Sequence, residues 1–446
     1  MAPKSPKSDP FDLIRYWNSQ RTEKGWWHSF ELPDGTQIEG VCDIAGLKDR
    51  IGQFPIPENL AGKRVLDIGT WDGWFAFEME RRGADVLAID NWDNPHFHDM
   101  HSRLRSRVDY RQIDMYDLTP ERIGYFDIVL FMGVLYHLKH PLLALERVCA
   151  LTTDMAVVDS FVLREEHRPG QNVERRPVME FYETNEMGGQ TDNWVGPSLE
   201  CLMAFCRTAG FARVELRKII QHSACVACYR CWPAPAKNAK NGPELTDAVH
   251  NTNDGINFST RRDDYVSIWF RAQGSMTLDD VRPQVDDYGV RPIHLAAADG
   301  EQRWHANFKL PPGLSPGWHN VTVRIGDTLP SNPKSIAVDV PLSVNAIKLT
   351  GLCDGQTWIQ NQIELEKGHS IALWVAGLPE NADRNNTRVY LAGTRLNVTY
   401  IEKRDDQTPR QINADIPPNV QPGPTQLGVA VGDLRTESAD LLIIDH

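Results

Sequence analysis

Apolar runs of strand length alternate with amphipathic helical patterns up to about residue 232. The strand-like runs are RVLDIG, DVLAID, FDIVLFMG and DMAVVDSF, and the helical patterns between or after them are FAFEMERRG, PLLALERVCAL and PSLECLMAFCRTAGF. Alternation at this spacing predicts a parallel sheet with helices on both of its faces. The last two runs, ARVELRKII and SACVACYRCW, predict consecutive strands that pair antiparallel at one edge of the sheet.

Beyond this region the helical pattern disappears. PAPAKNAKNGPE, residues 233–244, is poor in apolar side chains and is typical of a linker. Two segments then repeat: LPPGLSPG at 310–317 matches IPPNVQPG at 416–423, and the Gly-Asp pair of 326–327 returns at 432–433. Trp269 and Trp374 also occupy equivalent strand-like runs. A period of about 100 residues predicts tandem β-sandwiches of immunoglobulin type, with both tryptophans in their cores.

Composition limits the classes of protein to which the chain can belong. Its 446 residues are 41% hydrophobic and 24% charged, which is enough apolar material for two or three folded domains. The net charge of −13 argues against a basic nucleic-acid-binding module. The chain lacks a run of about 18 apolar residues, and no apolar signal sequence follows MAPKSPKSDP. Eight cysteines in so long a chain favour free thiols, so we expect a cytoplasmic protein.

The stretch VLDIGTWDGWF, residues 65–75, carries the first candidate chemistry. A strand that ends in Asp67 runs into a glycine-containing turn and then into a helix, as in nucleotide-binding α/β domains. Gly69 lets the backbone turn and approach a ligand, while Gly73 lets the helix pack closely on the strand. Trp71 occupies the position where a dinucleotide fingerprint has a glycine for the pyrophosphate. The stretch therefore favours a cofactor without phosphates over NAD.

Candidate ligand-binding residues also end the next three strands. Asp90 ends DVLAID, about 20 residues after the glycine turn, where a carboxylate can accept both hydroxyls of a ribose. Asp114 follows the third strand, and Met132 lies at the end of the fourth. Open α/β sheets bind ligands at the carboxyl ends of their strands, so we expect these residues to share one site.

This order of residues resembles the class I S-adenosylmethionine-dependent methyltransferases over residues ~45 to ~232. The resemblance implies a Rossmann-like sheet, S-adenosylmethionine as the cofactor and methyl transfer as the reaction. It also implies that the turn around Gly69 faces the methionine part, that Asp90 binds the ribose, and that Asp114 and Met115 bracket the adenine. The residues expected to bind the cofactor are Asp67, Gly69, Thr70, Trp71, Gly73, Asp90, Asn91, Asp114, Met115 and Met132.

Three further stretches, MGVLYH, NWVGPS and the leader WWHSFELPDG, are similar to the tRNA wobble-uridine carboxymethyltransferases and their uncharacterised relatives. That resemblance implies that Tyr136 lies beside the reactive sulfonium. The family's leader carries basic residues that hold a carboxylated cofactor, whereas this leader has Trp27 and His28 in that region. The departure favours plain methyl transfer, and the acidic charge balance argues against a tRNA acceptor. Transfer to a tRNA wobble uridine is the alternative function.

Methyl transfer to a hydroxyl needs a base, and histidine is the obvious side chain for it. Tyr136 and His137 follow the fourth strand directly, so we expect catalytic roles for both. We expect a third catalytic role for His28, in an aromatic leader that folds over the cleft. Two of these roles have structural alternatives, because His137 could stabilise the element that follows it and His28 could simply pack.

A long polar insertion, EEHRPGQNVERRPVMEFYETNEMGGQTDNW, follows the fifth strand. Long loops within compact domains are usually functional, and this one lies on the ligand edge. We therefore assign it to acceptor recognition. The residues expected to contact the acceptor are Trp27, Glu180, Tyr182 and Trp194.

Two clusters raise metal hypotheses. One has HxHxxH spacing and the other HxxCxxCxxC, and their members are His96, His98 and His101, and His222, Cys225, Cys228 and Cys231. The first is more simply the polar start of a helix. The second fits a strand in which a three-residue spacing scatters buried structural thiols over both faces. We therefore predict no metal site.

Together these patterns predict five segments: an N-terminal helical and aromatic lid (1–45), a methyltransferase domain (46–232), a linker (233–244) and two sandwiches (245–342 and 343–446). The predicted function is in-line methyl transfer from S-adenosylmethionine to a small-molecule or glycan acceptor, without a nucleic-acid or membrane partner. The sandwiches could form homo-oligomers, cover the site or recruit the acceptor. A binding protein with a degenerate cofactor domain is the third hypothesis, and the intact strand-end carboxylates argue against it.

Overall fold

The computed structural model describes residues 11–252, 255–298, 303–340, 347–380, 382–384, 386–392, 394–403, 409–418, 420–431 and 434–445. It divides into two compact units. The α/β unit comprises Met1–Pro233, Asp287–Arg291 and Pro311–Gly313, and the β unit comprises Ala234–Asp286, Pro292–Leu310 and Leu314–His446. The leading MAPKSPKSDP, the repeated Gly-Asp at 432–433 and the predicted boundary between residues 342 and 343 lie outside the described residues.

The α/β unit contains the helices and the strands that the apolar patterns predicted in the first half of the chain. Its helices are α1 Asp12–Lys24, α2 Ile44–Gly52, α3 Trp74–Arg81, α4 Pro95–Leu104, α5 Pro120–Ile123, α6 Pro141–Leu151 and α7 Leu199–Thr208. None of these described helices is long and apolar enough to cross a bilayer. Its strands are β1 Phe30–Glu31, β2 Gln37–Ile38, β3 Arg64–Ile68, β4 Asp85–Asp90, β5 Asp109–Gln112, β6 Phe126–Met132, β7 Thr152–Phe161, β8 Met179–Phe181, β9 Val195–Pro197, β10 Arg213–Ile220 and β11 Ser223–Tyr229.

The main sheet of this unit has seven strands in the order β10-β11-β7-β6-β3-β4-β5. Strands β7, β6, β3, β4 and β5 are parallel, whereas β11 runs antiparallel to β7 and β10 antiparallel to β11. The predicted parallel sheet with an antiparallel hairpin at one edge is therefore confirmed. Two small antiparallel strand pairs lie outside it: β1–β2 in the leader, and β8–β9, of which β8 belongs to the insertion and β9 follows it directly.

Side chains on both faces of the central strands β3, β4, β6 and β7 are buried, which explains why these strands are largely apolar. Along β3, Val65 packs into one core cluster and Leu66 into the other, and both are fully buried. The parallel strands all end at the same edge. In the register between β6 and β7, Met132 lies beside Asp159 at that edge. The edge therefore brings together the ends of the strands that carry the candidate site.

All eight cysteines fall within the described residues, and each is a free thiol. Cys225 and Cys228 of β11 are fully buried and belong to different core clusters. Their three-residue spacing thus places the two thiols on opposite faces of the sheet, as predicted for structural cysteines.

The chain after the linker is built from strands. They are β12 Glu244–His250, β13 Asn257–Phe258, β14 Tyr265–Arg271, β15 Val281–Val285, β16 Tyr288–Gly289, β17 Pro292–Ala298, β18 Arg303–Lys309, β19 Gly317–Ile325, β20 Lys334–Val338, β21 Lys348–Asp354, β22 Gln362–Glu364, β23 Ser370–Ala376, β24 Thr387–Leu391, β25 Thr394–Ile401, β26 Arg410–Asp415, β27 Gly423–Val431, β28 Leu434–Arg435 and β29 Ala439–Ile444. One sheet has the order β12-β14-β18-β17, and a second contains β13-β20-β19-β15. A third follows the path β21-β23-β26-β25-β24-β27-β29-β22. The immunoglobulin type of these sheets stays a prediction.

The predicted core positions of two tryptophans are wrong. Trp269 of β14 and Trp374 of β23 are half-buried, while their neighbours Phe270 and Leu373 are fully buried in the core. Successive side chains of a strand point to opposite faces, so each tryptophan lies on the face away from the core. Trp269 stacks there on the ring of His305, with centroids 4.3 Å apart.

Replacing Gly73 with alanine should destabilise the α/β unit. Its φ is +92°, and a Cβ would lie 2.5 Å from Phe77 Cε2 and 2.7 Å from Phe97 Cδ2. The strained backbone and the overpacked rings together should lower the free energy of unfolding by roughly 2–4 kcal/mol in urea titrations.

Gly52→Ala is the matched control, because a Cβ at Gly52 meets nothing within 4 Å and its φ is outside the left-handed region. Its free energy of unfolding should not fall and should rise by up to about 1 kcal/mol, because alanine has less conformational freedom in the unfolded chain. An equal loss in both variants would contradict the packing argument.

Candidate active site

The turn after β3 is fixed between the neighbouring strands. Gly69 has φ +71°, and the following Trp71 also has a positive φ, +53°. The amide of Gly69 donates to the Ile89 carbonyl at the end of β4 over 2.9 Å. A Cβ on Gly69 would lie 2.4 Å from Cγ2 of Val134, just beyond β6. Only glycine therefore allows the turn and the segment after β6 to come this close.

Two polar atoms beside this turn have no aligned hydrogen bond among the described residues, although the Thr70 hydroxyl lies near enough to the Asp67 carboxyl to lower its pKa. They are Oδ2 of Asp67 and Oγ1 of Thr70, and both atoms are buried. Burial has the larger effect and raises the pKa of Asp67 to about 6. Buried polar atoms in folded proteins are almost always hydrogen-bonded, so this pair fits a ligand that brings its own donors.

Asp90 lies where it was predicted, at the end of β4, and it is buried. Its Oδ2 accepts from the amide of Trp71 over 3.0 Å, and its Oδ1 accepts from the amide of Trp92 over 3.2 Å. Each carboxylate oxygen can accept a further hydrogen bond, which is the requirement for binding two ribose hydroxyls. Burial raises the pKa of Asp90. Asn91, the next residue, is exposed.

The residues predicted to bracket an adenine lie after β5. The Oδ1 of Asp114 accepts from the amide of Tyr116 over 2.8 Å and caps a 3-10 turn, Met115–Asp117. Met115 is buried in a core cluster of the sheet. Met132, at the end of β6, is half-buried. Asp114 therefore has a structural function as a cap, and its contact with a cofactor stays a prediction.

A fully buried carboxylate ties the leader to the glycine turn. Oδ2 of Asp72 accepts from the amides of Trp27 and His28 over 3.0 and 2.9 Å. Oδ1 of the same residue contacts Nδ1 of His28. Asp72 is completely buried, and the His28 side chain is nearly so. The geometry gives His28 a clear structural function, and its catalytic role stays a prediction.

Tyr136 and His137 follow β6 in a 3-10 turn, Leu135–His137. Burial raises the pKa of Tyr136, which packs against a cluster that includes Phe161 at the end of β7. Nδ1 of His137 lies 3.0 Å from the carbonyl oxygen of Asp192, an acceptor, so Nδ1 carries the proton and Nε2 a free lone pair. Burial lowers the pKa of His137, which favours the neutral ring that a general base requires.

The insertion contributes two residues to this arrangement through direct contacts: Asp192, through its carbonyl to His137, and Trp194. The amide of Trp194 donates to the Tyr136 carbonyl over 2.8 Å, and Nζ of Lys139 lies 4.1 Å from the indole centroid. Glu180 instead pairs with Arg168. These contacts place Trp194 beside the predicted catalytic turn.

Tyr182 is buried within the insertion itself. Its hydroxyl donates to Oε2 of Glu180 over 3.2 Å. A Cβ on Gly196 would lie 2.4 Å from the same hydroxyl. Both side chains thus hold the insertion together, and their predicted contact with the acceptor is untested.

Sequence reasoning missed a buried ion pair at this edge. Nη1 of Arg50 in α2 donates to Oδ1 of Asp159 over 2.7 Å, and the thiol of Cys225 donates to Oδ2 over 3.1 Å. Asp159 is 1% exposed, while the Arg50 side chain is 26% exposed. Burial alone would lower the pKa of Arg50, but the Asp159 carboxylate raises it. The sequence feature that could have indicated this ion pair is Asp159 itself, because a carboxylate inside the apolar run DMAVVDSF needs a buried partner.

The three histidines of the HxHxxH cluster make separate contacts. His96 stacks on Trp26 with centroids 4.2 Å apart, and His98 pairs with exposed Asp93 over 2.6 Å. Nε2 of His101 lies 3.1 Å from the Val108 carbonyl oxygen. These separate contacts agree with the simpler interpretation, in which the three histidines are polar residues of helix α4 and not ligands of one metal ion.

Residues 42–174 match a family model described as a methyltransferase domain. This part of the chain is a methyltransferase domain. Curated relatives include the ubiquinone biosynthesis O-methyltransferase of Acinetobacter baumannii (strain AYE), 40% identical over 86 residues, 18% of this chain and 36% of the relative. The enzyme of the same name from Pseudomonas aeruginosa (strain UCBPP-PA14) is 38% identical over 120 residues, 26% of this chain and 48% of the relative. The chain thus spans less than half the length of these relatives.

Two solved structures align with about half of the chain. The N-terminal domain of EvdMO1, determined with SAH and D-fucose, is 18% identical and covers 50% of this chain and 98% of its own, with a TM-score of 0.35. The Burkholderia thailandensis 1,6-didemethyltoxoflavin-N1-methyltransferase is 16% identical and covers 51% and 92%, with a TM-score of 0.32. At these TM-scores neither structure informs the choice of acceptor. The proteins named here lend no support to the narrower resemblance to tRNA wobble-uridine carboxymethyltransferases.

Asp72→Asn should weaken the attachment of the leader to the methyltransferase domain. The substitution removes a charged acceptor from three buried contacts, so the free energy of unfolding in urea should fall by about 1–3 kcal/mol. Limited proteolysis should also cut the leader near Trp27 sooner than in the unaltered protein.

Asp93→Asn is the matched control, because Asp93 forms an exposed pair with His98 in which the side chains are 60% and 51% exposed. Its effect should stay below about 0.5 kcal/mol. A comparable loss in the two variants would show that burial of the Asp72 contacts is not what stabilises the leader.

Proposed function

We propose that this chain is an S-adenosylmethionine-dependent methyltransferase that acts on a small-molecule or glycan acceptor. The observation that carries the proposal is the methyltransferase-domain match over residues 42–174, which includes the glycine turn and all four strand ends of the candidate site. The buried atoms of Asp67 and Thr70 that have no aligned hydrogen bond support a ligand at that turn.

The polar groups at the edge fit the parts of S-adenosylmethionine. Asp90 would accept the ribose hydroxyls, because each of its oxygens has capacity beyond its one backbone contact. Asp67 is a buried acceptor that suits the ammonium group of the methionine part. Arg50 has five N–H donors, of which one is bonded to Asp159 among the described residues. Its remaining donors suit the methionine carboxylate, since arginine matches carboxylates in charge and shape.

Methyl transfer requires little covalent chemistry from the protein itself. The bound cofactor supplies a methyl group activated by a positively charged sulfur. The protein aligns the acceptor, excludes water and receives a proton. Tyr136 and Trp194 would shape the acceptor side of the site, since both lie beside the end of β6. His137 would take the proton of an acceptor hydroxyl on Nε2, because its Nδ1 is committed to the Asp192 carbonyl.

An oxygen acceptor on a small molecule is favoured over tRNA. The relatives named above are O-methyltransferases of ubiquinone biosynthesis, and a base such as His137 is needed for a hydroxyl. The net charge of −13 is unsuited to the phosphate contacts that supply most affinity for nucleic acids. We retain as proposals the two sandwiches, over 245–342 and 343–446, and their role in oligomer formation or acceptor recruitment.

Asp90→Asn should weaken binding of S-adenosylmethionine by about 10-fold or more in isothermal titration calorimetry, because it turns one hydroxyl acceptor into a donor. Asp85→Asn is the control at the opposite end of the same strand, where the side chain is 81% exposed. Its Kd should equal that of the unaltered protein. Absence of binding to the unaltered protein, or equal weakening in both variants, would contradict the proposed cofactor site.

The pH profile of turnover should identify His137 as the base. Its pKa lies below the ordinary value of 6.5, so the ring is neutral at pH 7, and kcat should fall only as the pH drops through that lowered value. His137→Gln should lose about 10²–10⁴ in kcat and abolish this acidic limb. The measurement is release of S-adenosylhomocysteine with hydroxyl-bearing small acceptors.

His98→Gln is the control, since His98 is an exposed histidine elsewhere in the domain. His98→Gln should leave both kcat and its dependence on pH unchanged. An acidic limb that survives in His137→Gln would assign the base to another group.

A further inference from the structure

Three side chains that neither metal hypothesis grouped together converge beyond the end of β7. Glu166 and His167 lie at the start of the insertion, and His222 lies in the turn between β10 and β11. One ligand atom from each residue lies within 4.8 Å of the others. Among the described residues, this is the one group of three or more His, Cys, Asp or Glu side chains so arranged.

The contact between Glu166 and His222 has the spacing of two ligands of one ion. Oε1 of Glu166 and Nδ1 of His222 are 3.1 Å apart, yet Nδ1 is buried and has no aligned hydrogen bond. Two ligands at about 2.0–2.1 Å from a tetrahedral zinc ion lie roughly 3.3 Å from one another. The two atoms therefore suit a shared third partner better than a hydrogen bond between themselves.

His167 supplies the independent observation. The residue is 3% exposed, and its Nε2 is buried without a hydrogen-bond partner among the described residues. Its ring centroid lies 4.8 Å from that of His222. An ion pair of Glu166 with His222 explains those two residues, but it leaves Nε2 of His167 with nothing to bind. A cation bound by one ligand atom of each residue would give the three side chains a common partner.

Binding an ion through Nε2 requires His167 to change its tautomer. Nδ1 accepts from the Arg164 amide over 2.9 Å, so in the metal-free ring the proton sits on Nε2 and has no acceptor. Coordination through Nε2 moves a proton to Nδ1 and releases the Arg164 amide. Two N–H groups, of His167 and of Arg164, then lack this hydrogen bond in place of one, so the metal–nitrogen bonds must outweigh that cost.

We propose that Glu166, His167 and His222 bind a divalent transition-metal ion, with Zn²⁺ as the best match to two imidazoles and a carboxylate. Three protein ligands leave a fourth position for water. The ion would join the start of the insertion to the edge hairpin.

This site departs from the sequence prediction of no metal, for a physical reason. The HxxCxxCxxC pattern grouped His222 with the cysteines that follow it in the sequence. In the structure, Cys225 and Cys228 are fully buried in two different core clusters. The partners of His222 come instead from Glu166 and His167, more than fifty positions earlier in the chain.

The test uses the full chain, free of any affinity tag and stripped with a chelator. Zn²⁺ is titrated by calorimetry, and Co²⁺ is titrated by visible absorption, which reports tetrahedral coordination. We expect one ion per chain and a higher melting temperature with Zn²⁺. His222→Ala and Glu166→Gln should each weaken Zn²⁺ binding by about 10-fold or more.

His98→Ala is the matched control, because His98 belongs to the HxHxxH helix and pairs with Asp93. It should bind Zn²⁺ as the unaltered chain does. The metal-free melting temperature of each variant separates loss of a ligand from loss of the fold, which matters for buried His167. The proposal is overturned if the unaltered chain binds neither ion at micromolar concentration, or if His222→Ala and Glu166→Gln both bind Zn²⁺ with the original affinity.

Discussion

The candidate site depends on the close approach of Gly69 to Val134. A Cβ at Gly69 would lie 2.4 Å from a Val134 methyl group and φ at this position is +71°, so any other residue would strain the turn and displace the Val134 side chain. The segment after β6 carries Tyr136 and His137, and the turn carries the buried atoms of Asp67 and Thr70 that have no aligned hydrogen bond. The turn proposed to bind the cofactor and the turn proposed to be catalytic can therefore lie close together because residue 69 has no side chain.

Buried carboxylates fasten the surrounding elements to this edge. Asp72 holds the leader through two backbone amides and His28, and Asp159 holds helix α2 through Arg50. Burying a charge is costly unless it is paired and hydrogen-bonded, and both carboxylates meet that condition. Such pairing makes the positions of the leader and of α2 specific, because a displaced element would leave a charge buried without its partner. These groups are therefore positioning residues around the candidate site.

Local patterns in the sequence were sufficient to predict the sheet and to place the glycine turn and Asp90 at one edge of it. A few neighbouring residues are enough to recognise each of these features: the apolar strands, the amphipathic helices, the glycine turn and Asp90. Contacts between distant segments were not predictable in this way: Arg50 and Asp159 are 109 positions apart, and His28 and Asp72 are 44 apart. The orientation of Trp269 and Trp374 was misjudged because a repeated tryptophan does not reveal which face of its strand is buried. Glu166, His167 and His222 were missed for the same reason as Arg50, since only the folded chain brings them together.

A crystal structure of the full chain with S-adenosylhomocysteine is the most direct test of the central claim. The account predicts electron density for the ligand at the carboxyl ends of β3 and β4, with its ribose on Asp90 and its methionine part between the Gly69 turn and Arg50. Density for the ligand elsewhere on the chain would contradict the account. So would a Trp71 side chain that fills this edge in the presence of saturating ligand.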